Sequence, residues 1–436
     1  MINAMNSING VGSVTSSVTT QHPIHTELAE EEILRRAQDR SLPDDEYDNH
    51  IFLSKLSTSS SQSTQLIEVL VDEHFPYVVK GRRATQAETM RWHLKQFFLN
   101  LGRSLLCNSW LATPEDNRAY TKGIGYMSPH NMSYSCVKDI LAHLINEGLV
   151  EYKQGKKFES GGMTSRLFPT TILQSEIALL ALHTTEGFHG NYVQFTNPEP
   201  RYQGIVSRLP DDHPDIFKME QINEFMSGQT WALKAPIVLK FNSNPFNGGR
   251  LYTPYQNLPS RNYDIRKRTL LNGETISEPD YSANHLRLNL AVNASQDAGD
   301  TPYEDIVELT GDVTSREMVK AFITRAMGAS SETKARYSMY DQKCKDWEFN
   351  AIKAATLKRY PKLQLFNGFG SKAQSLEGAI LNDVMQFGII NDIPSIPVHD
   401  ALAVQKIDAE WARDTMLEVW SQHVRCKSAR PRVSLD

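Results

Sequence analysis

The sequence predicts an α+β fold whose chemistry lies on an antiparallel sheet, and three observations support that prediction. A strand-like run delivers Asp280 and then gives way to an apolar helical period. A short apolar hairpin at 393–404 carries the polar pair His399-Asp400 at its tip. A helical segment at 133–147, followed by two strand-like segments, has the outline of a winged helix.

The winged-helix outline rests on its end signals and on its charge. Ser133 is a favoured N-cap residue, and Gly148 ends the helix as a left-handed cap. The strand-like segments that follow flank a glycine-rich turn. We expect this hairpin to contact nucleic-acid phosphates through its basic residues, which are Lys153, Lys156, Lys157 and Arg166. The alternative is a winged-helix fold used only for packing or protein contact.

The two aspartates predict a metal site. Strands buried in a sheet do not hold ionised carboxylates without a compensating charge. The simplest compensation is a divalent metal with oxygen ligands. Asp280 and Asp400, placed on adjacent strands, can hold two Mg²⁺ or Mn²⁺ ions for phosphoryl transfer.

A basic helix face lies between the two aspartates in the chain. Arg316, Lys320 and Thr324 are spaced four residues apart, so they share one face of a helix. A cationic face directed at a metal site is what a triphosphate needs. The alternative is a solvated basic face with no ligand.

Three motifs in order resemble family A DNA polymerases. The letters DYS at 280–282, with LR at 286–287, look like the first palm motif of that family. The run REMVK at 316–320 is similar to the start of its fingers helix, and PVHD at 397–400 looks like its third palm motif. The resemblance covers roughly residues 249–410. It implies a polymerase palm with an antiparallel sheet and reduced helical fingers, preceded by the winged-helix domain.

The resemblance also implies roles for single residues. Asp280 and Asp400 would hold the metals together with the backbone carbonyl of Tyr281. His399 would contact the primer terminus or the priming phosphate, or else bond locally within its turn. The residues expected to bind the nucleotide are Arg316, Lys320, Thr324, His285 and Tyr281. Further nucleic-acid contacts are expected from Arg261, Arg266 and Arg287.

The sequence departs from the family at several positions. His285 stands where the family has Glu, and Met327-Gly328 replaces a Tyr-Gly pair one residue early. In the family those two sites close the pocket against a ribose 2′-hydroxyl, so we expect ribonucleotides to be accepted. Ala401 replaces an acid after His-Asp. Glu377, in a helical run before the third motif, is interpreted either as a surface residue or as one that orients a metal or primer.

These features predict a primase-polymerase of the kind carried by mobile genetic elements, phages or plasmids. The expected partners are template and primer, nucleoside triphosphates, and a replication protein such as a helicase or single-strand-binding protein. The predicted regions are a disordered leader with a short helix (1–64), a helical and winged-helix nucleic-acid-binding domain (65–170), a helical connector or thumb-like region (171–248), and the palm and fingers (249–436).

Composition limits the binding partners and the cellular compartment that the sequence predicts. The 436 residues carry a formal net charge of -5, which is unusual for a nucleic-acid binder, although binding depends on local potential rather than the total. No apolar run is long enough for a membrane span, and no secretory signal is expected. The four cysteines are scattered without zinc-binding or disulfide spacing. A reducing, cytoplasmic setting is expected.

Three other classes compete with a polymerase. A transcription regulator would explain the winged helix but would leave Asp280 and Asp400 without a purpose. A polymerase fold used as an inactive scaffold would be free to lose its carboxylates, and both are present. A metal-dependent nuclease would use the carboxylates but has no need of the Arg316/Lys320 face.

Overall fold

The computed structural model describes most of the chain beyond the first 50 residues. The described residues are 30–35, 37, 50–58, 60–76, 83–122, 127, 130–158, 161–186, 192–195, 213–258, 260 and 265–435. Most of the predicted leader, and Arg261, therefore lie outside the described residues. Residues 30–35 are helical, within the leader at 1–64 that was predicted to contain a short helix.

The N-terminal region packs helices against a small mixed sheet. Its helices are α1 (Ser61–His74), α2 (Ala84–Cys107), α3 (Tyr134–Asn146) and α4 (Thr171–His183). The sheet has the order β1-β3-β7-β4, formed by β1 (His50–Phe52), β3 (Trp110–Ala112), β7 (Arg166–Pro169) and β4 (Val150–Lys153). Two further pairs are β2 (Leu56–Thr58) with β8 (Thr184–Glu186), and β5 (Lys156–Phe158) with β6 (Gly161–Met163).

Helix α3 and the two strands predicted after it are present, and the predicted turn between those strands contains a further hairpin, β5–β6. Helix α3 follows Ser133 and is succeeded by Gly148, whose φ of 65° lies in the left-handed region. Strand β7 pairs antiparallel with both β3 and β4, and the β5–β6 hairpin lies between β4 and β7 in the chain. The winged-helix assignment itself stays a prediction.

Two predicted boundaries differ from the structure. Strands β1 and β2 fall inside the range predicted as a disordered leader. The Ser/Thr-rich composition at 56–64 predicted a flexible segment and gave no sign that β2 pairs with the distant strand β8. The boundary at 248/249 cuts a hairpin, since β10 (Val238–Phe241) pairs antiparallel with β11 (Gly248–Tyr252). Strand β9 (Val193–Phe195) completes that sheet, and α5 (Pro214–Ser227) precedes β10.

The C-terminal region is built on a second antiparallel sheet. Its order is β12-β13-β16-β14-β17, with β15 also paired to β16. The strands are β12 (Leu270–Leu271), β13 (Glu274–Ser277), β14 (Asp280–Tyr281), β15 (Ser395–Val398), β16 (Ala401–Gln405) and β17 (Val433–Ser434). The helices are α6 (Ile265–Arg268), α7 (Asn284–Ala294), α8 (Glu304–Leu309), α9 (Arg316–Gly328), α10 (Glu332–Ser338), α11 (Asp346–Arg359), α12 (Phe369–Ile390) and α13 (Ala409–Val424). The chain is therefore an α+β protein, as predicted.

Two hydrophobic cores organise these elements. The larger core joins the N-terminal helices to the C-terminal sheet and includes Leu53, Phe98, Leu251 and Trp420. A smaller core is formed within residues 286–363, where Phe322 packs edge to face on Phe349 with ring centroids 4.9 Å apart. Helices α8 to α11 thus form a helical unit with a core of its own. In the described part of the chain, no helix combines the length and apolar character needed to cross a membrane.

Candidate active site

The two predicted aspartates lie at neighbouring positions of the C-terminal sheet: Asp280 is on strand β14, and Asp400 is in the turn that leads into the adjacent strand β16. Asp280 opens β14 and pairs with Ala401, the residue after Asp400. The amide of Leu402 donates to the carbonyl of Pro279 at 3.1 Å, which fixes the register on the other side of Asp280. Asp280 is exposed and Asp400 is half-buried. The predicted transition from strand to helix after Asp280 is confirmed, because α7 begins four residues later.

The tip that carries Asp400 is the predicted hairpin. Val398 of β15 pairs with Ala401 of β16, so His399 and Asp400 are the two turn residues. His399 is exposed and has a φ of 57°, in the left-handed region that non-glycine residues enter rarely. The tight turn therefore holds the His399 ring and the Asp400 carboxyl at one edge of the sheet.

The buried carboxylate of Glu377 lies beside Asp400. The sequence leaves two interpretations of this residue open. Glu377 of α12 has no exposed side-chain surface, so the interpretation as a surface residue was wrong. Its Oε1 accepts from Arg250 Nε at 2.9 Å and lies 2.8 Å from the same residue's Nη2. Its Oε2 accepts from Asn284 Nδ2 at 3.1 Å. A fully buried carboxylate needs this compensation, because desolvating an unpaired charge is strongly unfavourable.

His285 approaches the same carboxylate from the first turn of α7. Its Nε2 lies 3.0 Å from Glu377 Oε2, although the ring is not oriented for a hydrogen bond to it. His285, on α7, thus faces an acid supplied by another helix, α12.

Two glycines allow strand β11 and helix α12 to come this close. A Cβ on Gly378 would overlap the carbonyl oxygen of Gly249, so the two backbones are in direct contact there. Gly249 also has a φ of 78°, which favours glycine. Arg250 follows Gly249 and Glu377 precedes Gly378, so this backbone contact brings the two charged side chains within ion-pair distance.

The surroundings of the site shift the pKa values of Asp400 and Glu377 in opposite directions. Burial, followed by the charge of Glu377, raises the pKa of Asp400 to about 6, with His285 and Arg250 opposing the rise. Burial also acts against ionised Glu377, but His285 and Arg250 outweigh it and hold the pKa of Glu377 below its usual value. Glu377 is thus held in its charged form, whereas a further cation would be needed to favour the charged form of Asp400.

The basic helix face predicted to meet a triphosphate begins at α9. Ser315 caps this helix by accepting from the Met318 amide at 3.2 Å. Arg316 is exposed and donates to Glu304 at 2.6 Å. Lys320 is exposed and makes no ion pair with a described residue. The Thr324 hydroxyl donates to the Lys320 carbonyl at 2.9 Å, so its hydrogen is directed at its own helix.

Tyr303, which sequence analysis did not single out, connects this helix to the aspartates. The Arg316 guanidinium lies over its ring, 5.5 Å from the centroid. Burial raises the pKa of Tyr303 to about 12, while Arg316 acts in the opposite direction and Asp400 adds to the rise. Arg316 and Asp400 therefore both lie within electrostatic reach of one phenol.

The remaining predicted site residues differ in their burial and in the groups that they contact. Lys153 and Arg166 both lie over the Trp110 ring, at 5.3 Å and 5.8 Å from its centroid, and Arg166 is buried. Lys156 and Lys157 lie in β5 of the hairpin. Tyr281 is buried, and its hydroxyl donates to the Met416 carbonyl at 2.6 Å.

Arg266 and Arg287, which we expected to contact nucleic acid, are instead buried in the protein. Arg266 donates to both carboxylate oxygens of Glu278, at 2.6 Å and 2.8 Å, and to two backbone carbonyls. Arg287 donates to the carbonyls of Ser282, Arg430 and Gly299. Their donors are committed to internal acceptors, so both arginines hold loops together.

The donor set fits divalent ions only in part. Within the described residues there is no group of three or more His, Cys, Asp or Glu side chains arranged to hold a metal. Asp280 and Asp400 would therefore leave several ligand positions to water and phosphate oxygens, which is how Mg²⁺ is commonly bound. The raised pKa of Asp400 fits this, because a nearby divalent cation would favour its charged form.

Comparisons with known proteins add little to this geometry. No family model matches the chain, and no curated protein matches it. Among solved structures, the chain is similar to the POL domain of Pol1 from M. smegmatis, in a complex with DNA primer-template and dNTP. The sequence identity is 12%, the TM-score is 0.27, and the match covers 94% of this chain and 80% of that one. So low a score carries no argument about function.

Proposed function

We propose that this protein is a template-directed nucleotidyltransferase, a small DNA polymerase or primase that uses two divalent ions. The observation that carries the proposal is the placement of Asp280, on strand β14, beside the turn that holds Asp400 at the start of the paired strand β16. Beside them stands a buried carboxylate, Glu377, that is paired with Arg250. Asp280 and Asp400 are the acids that we propose bind an added cation.

Asp280 and Asp400, with the Tyr281 carbonyl, are the groups that would hold Mg²⁺ or Mn²⁺. When bound, such ions activate a terminal hydroxyl and stabilise the leaving pyrophosphate. Asp280 is exposed and open to nucleic acid, whereas the half-buried Asp400 sits nearer the Glu377 network. His399, exposed at the hairpin tip, is placed to contact the primer terminus or an initiating nucleotide.

The face of α9 would bind the triphosphate. Lys320 has no competing ion pair with a described residue, so its ammonium is available to phosphate oxygens. Arg316 is held by Glu304, but both side chains are 47% exposed, and such a pair exchanges partners at little cost. Thr324 and His285 complete the proposed nucleotide contacts. Tyr303 supports Arg316 from beneath.

The preceding region would hold the template or duplex. The order helix α3, strand β4, hairpin and strand β7 supports a winged helix, with Lys156 and Lys157 on its hairpin. Phosphate contacts of this kind weaken steeply with salt. A relaxed choice of sugar, inferred from His285 and Met327, makes a primase-polymerase of a mobile element the specific form of this proposal. A helicase or single-strand-binding protein would be its replication partner.

Synthesis on single-stranded DNA tests the proposal. The protein is incubated with Mg²⁺ or Mn²⁺ and labelled dNTPs or NTPs, with and without a primer, beside an Asp280→Asn variant. Product from the parent protein alone is expected, and its dependence on nucleotide and primer identifies the enzyme type. Tight DNA binding without product under every condition would overturn the proposal and favour a DNA-binding regulator or scaffold.

A further inference from the structure

The helical unit presents aromatic side chains to solvent at 337–347. Tyr337 is 67% exposed, Tyr340 is 57% exposed and Trp347 is 54% exposed. Tyr337 lies in α10, Tyr340 in the short 3-10 turn after it, and Trp347 in the first turn of α11. We call these three residues the aromatic ledge.

Folding does not require the ledge to be aromatic. The same segment is anchored from its other side by Ala335, Met339, Cys344 and Phe349, which are buried in the smaller core. Those residues satisfy the packing of α10 and α11. Large apolar rings left outside a satisfied core are typical of a binding surface.

The two tyrosines form an edge-to-face pair. Their ring centroids are 5.7 Å apart, and the ring planes meet at 71°. In this geometry the ring that contributes its edge keeps both of its faces free of the other ring. With both side chains more than half exposed, a planar group from solvent can stack on the pair.

Most of the acids around the ledge are paired with cations. Three acids of this segment are neutralised within the helical unit: Glu332 by Arg336 and Lys353, Asp341 by Arg325, and Asp346 by Arg336. A fourth acid, Glu348, is half-buried and accepts from Thr314 at 3.0 Å.

Three lysines of the same segment have no acid partner among the described residues. Lys334 contacts only the Ser330 hydroxyl, at 3.0 Å, and Lys343 and Lys345 are exposed on either side of buried Cys344. The ledge thus combines open aromatic faces with unpaired ammonium groups.

We propose that the aromatic ledge binds single-stranded nucleic acid. Bases stack on exposed aromatic rings whatever their sequence, while lysines follow the phosphates, and this combination is the usual design of single-strand sites. The surplus of lysine favours a polyanion over a protein partner. The proposal deepens the proposed function, on which it rests for the identity of the strand, the unpaired template. Binding itself needs neither metal nor nucleotide.

Equilibrium binding by the full chain tests this inference. The probe is a labelled oligo-dT of about 15 nucleotides, long enough for one such site, with a blunt DNA duplex as the comparison ligand. Both are titrated in EDTA without nucleotide, so the result does not depend on catalysis. The variants are Tyr337→Ala/Tyr340→Ala and Trp347→Ala. Phe217→Ala, at a 63% exposed aromatic on α5, is the matched control.

We expect the tyrosine double variant to bind oligo-dT at least about tenfold more weakly, with duplex binding and the Phe217→Ala control unchanged. Tyr337→Phe/Tyr340→Phe should bind like the parent, because stacking uses the rings. Changing the three lysines to Gln should flatten the salt dependence by about two units of slope. Oligo-dT binding within about twofold of the parent, or an equal loss for duplex, would overturn the inference. A parent protein that makes no product under any condition would overturn the proposed function and leave these binding results unaffected, so the two proposals fail separately.

Discussion

The carboxylate of Glu377 is buried against the guanidinium of Arg250, with Oε1 2.9 Å from Nε and 2.8 Å from Nη2. The pair joins α12 to β11 across 127 positions of sequence. Burial is the largest cause of the raised pKa of Asp400, and the negative charge of Glu377 is the second. The behaviour of the proposed catalytic aspartate therefore depends on a contact outside the sheet.

The contact between Gly378 and Gly249 should be intolerant of a methyl group. Gly378→Ala would drive a Cβ into the Gly249 carbonyl, and we expect a loss of about 3 kcal/mol or more in the free energy of unfolding. Gly328→Ala is the control, because nothing lies within 4 Å of its added Cβ. Chemical denaturation of both variants measures the difference. Equal stabilities would show that the two backbones are not in contact.

The Arg250–Glu377 pair should be strongly coupled. In a double-mutant cycle with Arg250→Met and Glu377→Leu, we expect a coupling free energy of about 2 kcal/mol, because each single change leaves a charge without compensation. The exposed pair Arg413–Glu410, with side chains 32% and 65% accessible, should give a value near zero. Denaturation curves for the parent and the six variants measure both values. A coupling no larger than that of the exposed pair would contradict the assigned network.

Stability should depend on pH through Asp400. Its pKa in the folded protein is raised to about 6, above about 3.9 in an unfolded chain, so the folded state binds more protons between these values. The stability from Asp400 is full below about pH 4 and lost as the pH rises through 6. Asp400→Asn should therefore be more stable than the parent at pH 7 by about 1–2 kcal/mol, and the gap should close near pH 4. Denaturation at both pH values checks this, and a destabilised variant at pH 7 would argue against the assignment.

Lys320 should matter for the nucleotide and not for the fold. It is exposed and has no acid partner among the described residues, so Lys320→Ala should leave the unfolding free energy nearly unchanged. Loss of a charged phosphate contact should raise KM for the nucleotide by about 10- to 100-fold. Lys358→Ala, at an exposed position in the last turn of α11, is the control in steady-state kinetics. An unchanged KM in both variants would remove Lys320 from the site.

Local signals in the sequence predicted the elements that position the aspartates. The run that ends at Asp280 is strand-like, and the apolar runs around Asp400 flank a two-residue polar tip, which is a hairpin pattern, so both features were visible without a structure. The helix after Ser133 was visible for the same reason, from its cap and its ending glycine. Each of these features is set by neighbours in the chain.

Long-range pairing explains what the sequence did not reveal. Glu377 looked like a surface residue because nothing within its own helix shows that Arg250 and His285 converge on it. The one local sign was a glycine beside each partner, at 249 and 378. Arg266 and Arg287 looked exposed because a charged residue is usually solvated, and only the fold supplies the buried acceptors that satisfy them.

Primer extension by the Asp400→Asn variant tests the central claim most directly. A labelled primer on a single-stranded template is incubated with Mg²⁺ or Mn²⁺ and nucleotides, using parent and variant proteins that bind the template equally. The account predicts extended product from the parent and none from the variant, since the amide removes one of the two proposed metal-binding carboxylates. Extension by Asp400→Asn at the rate of the parent would contradict it.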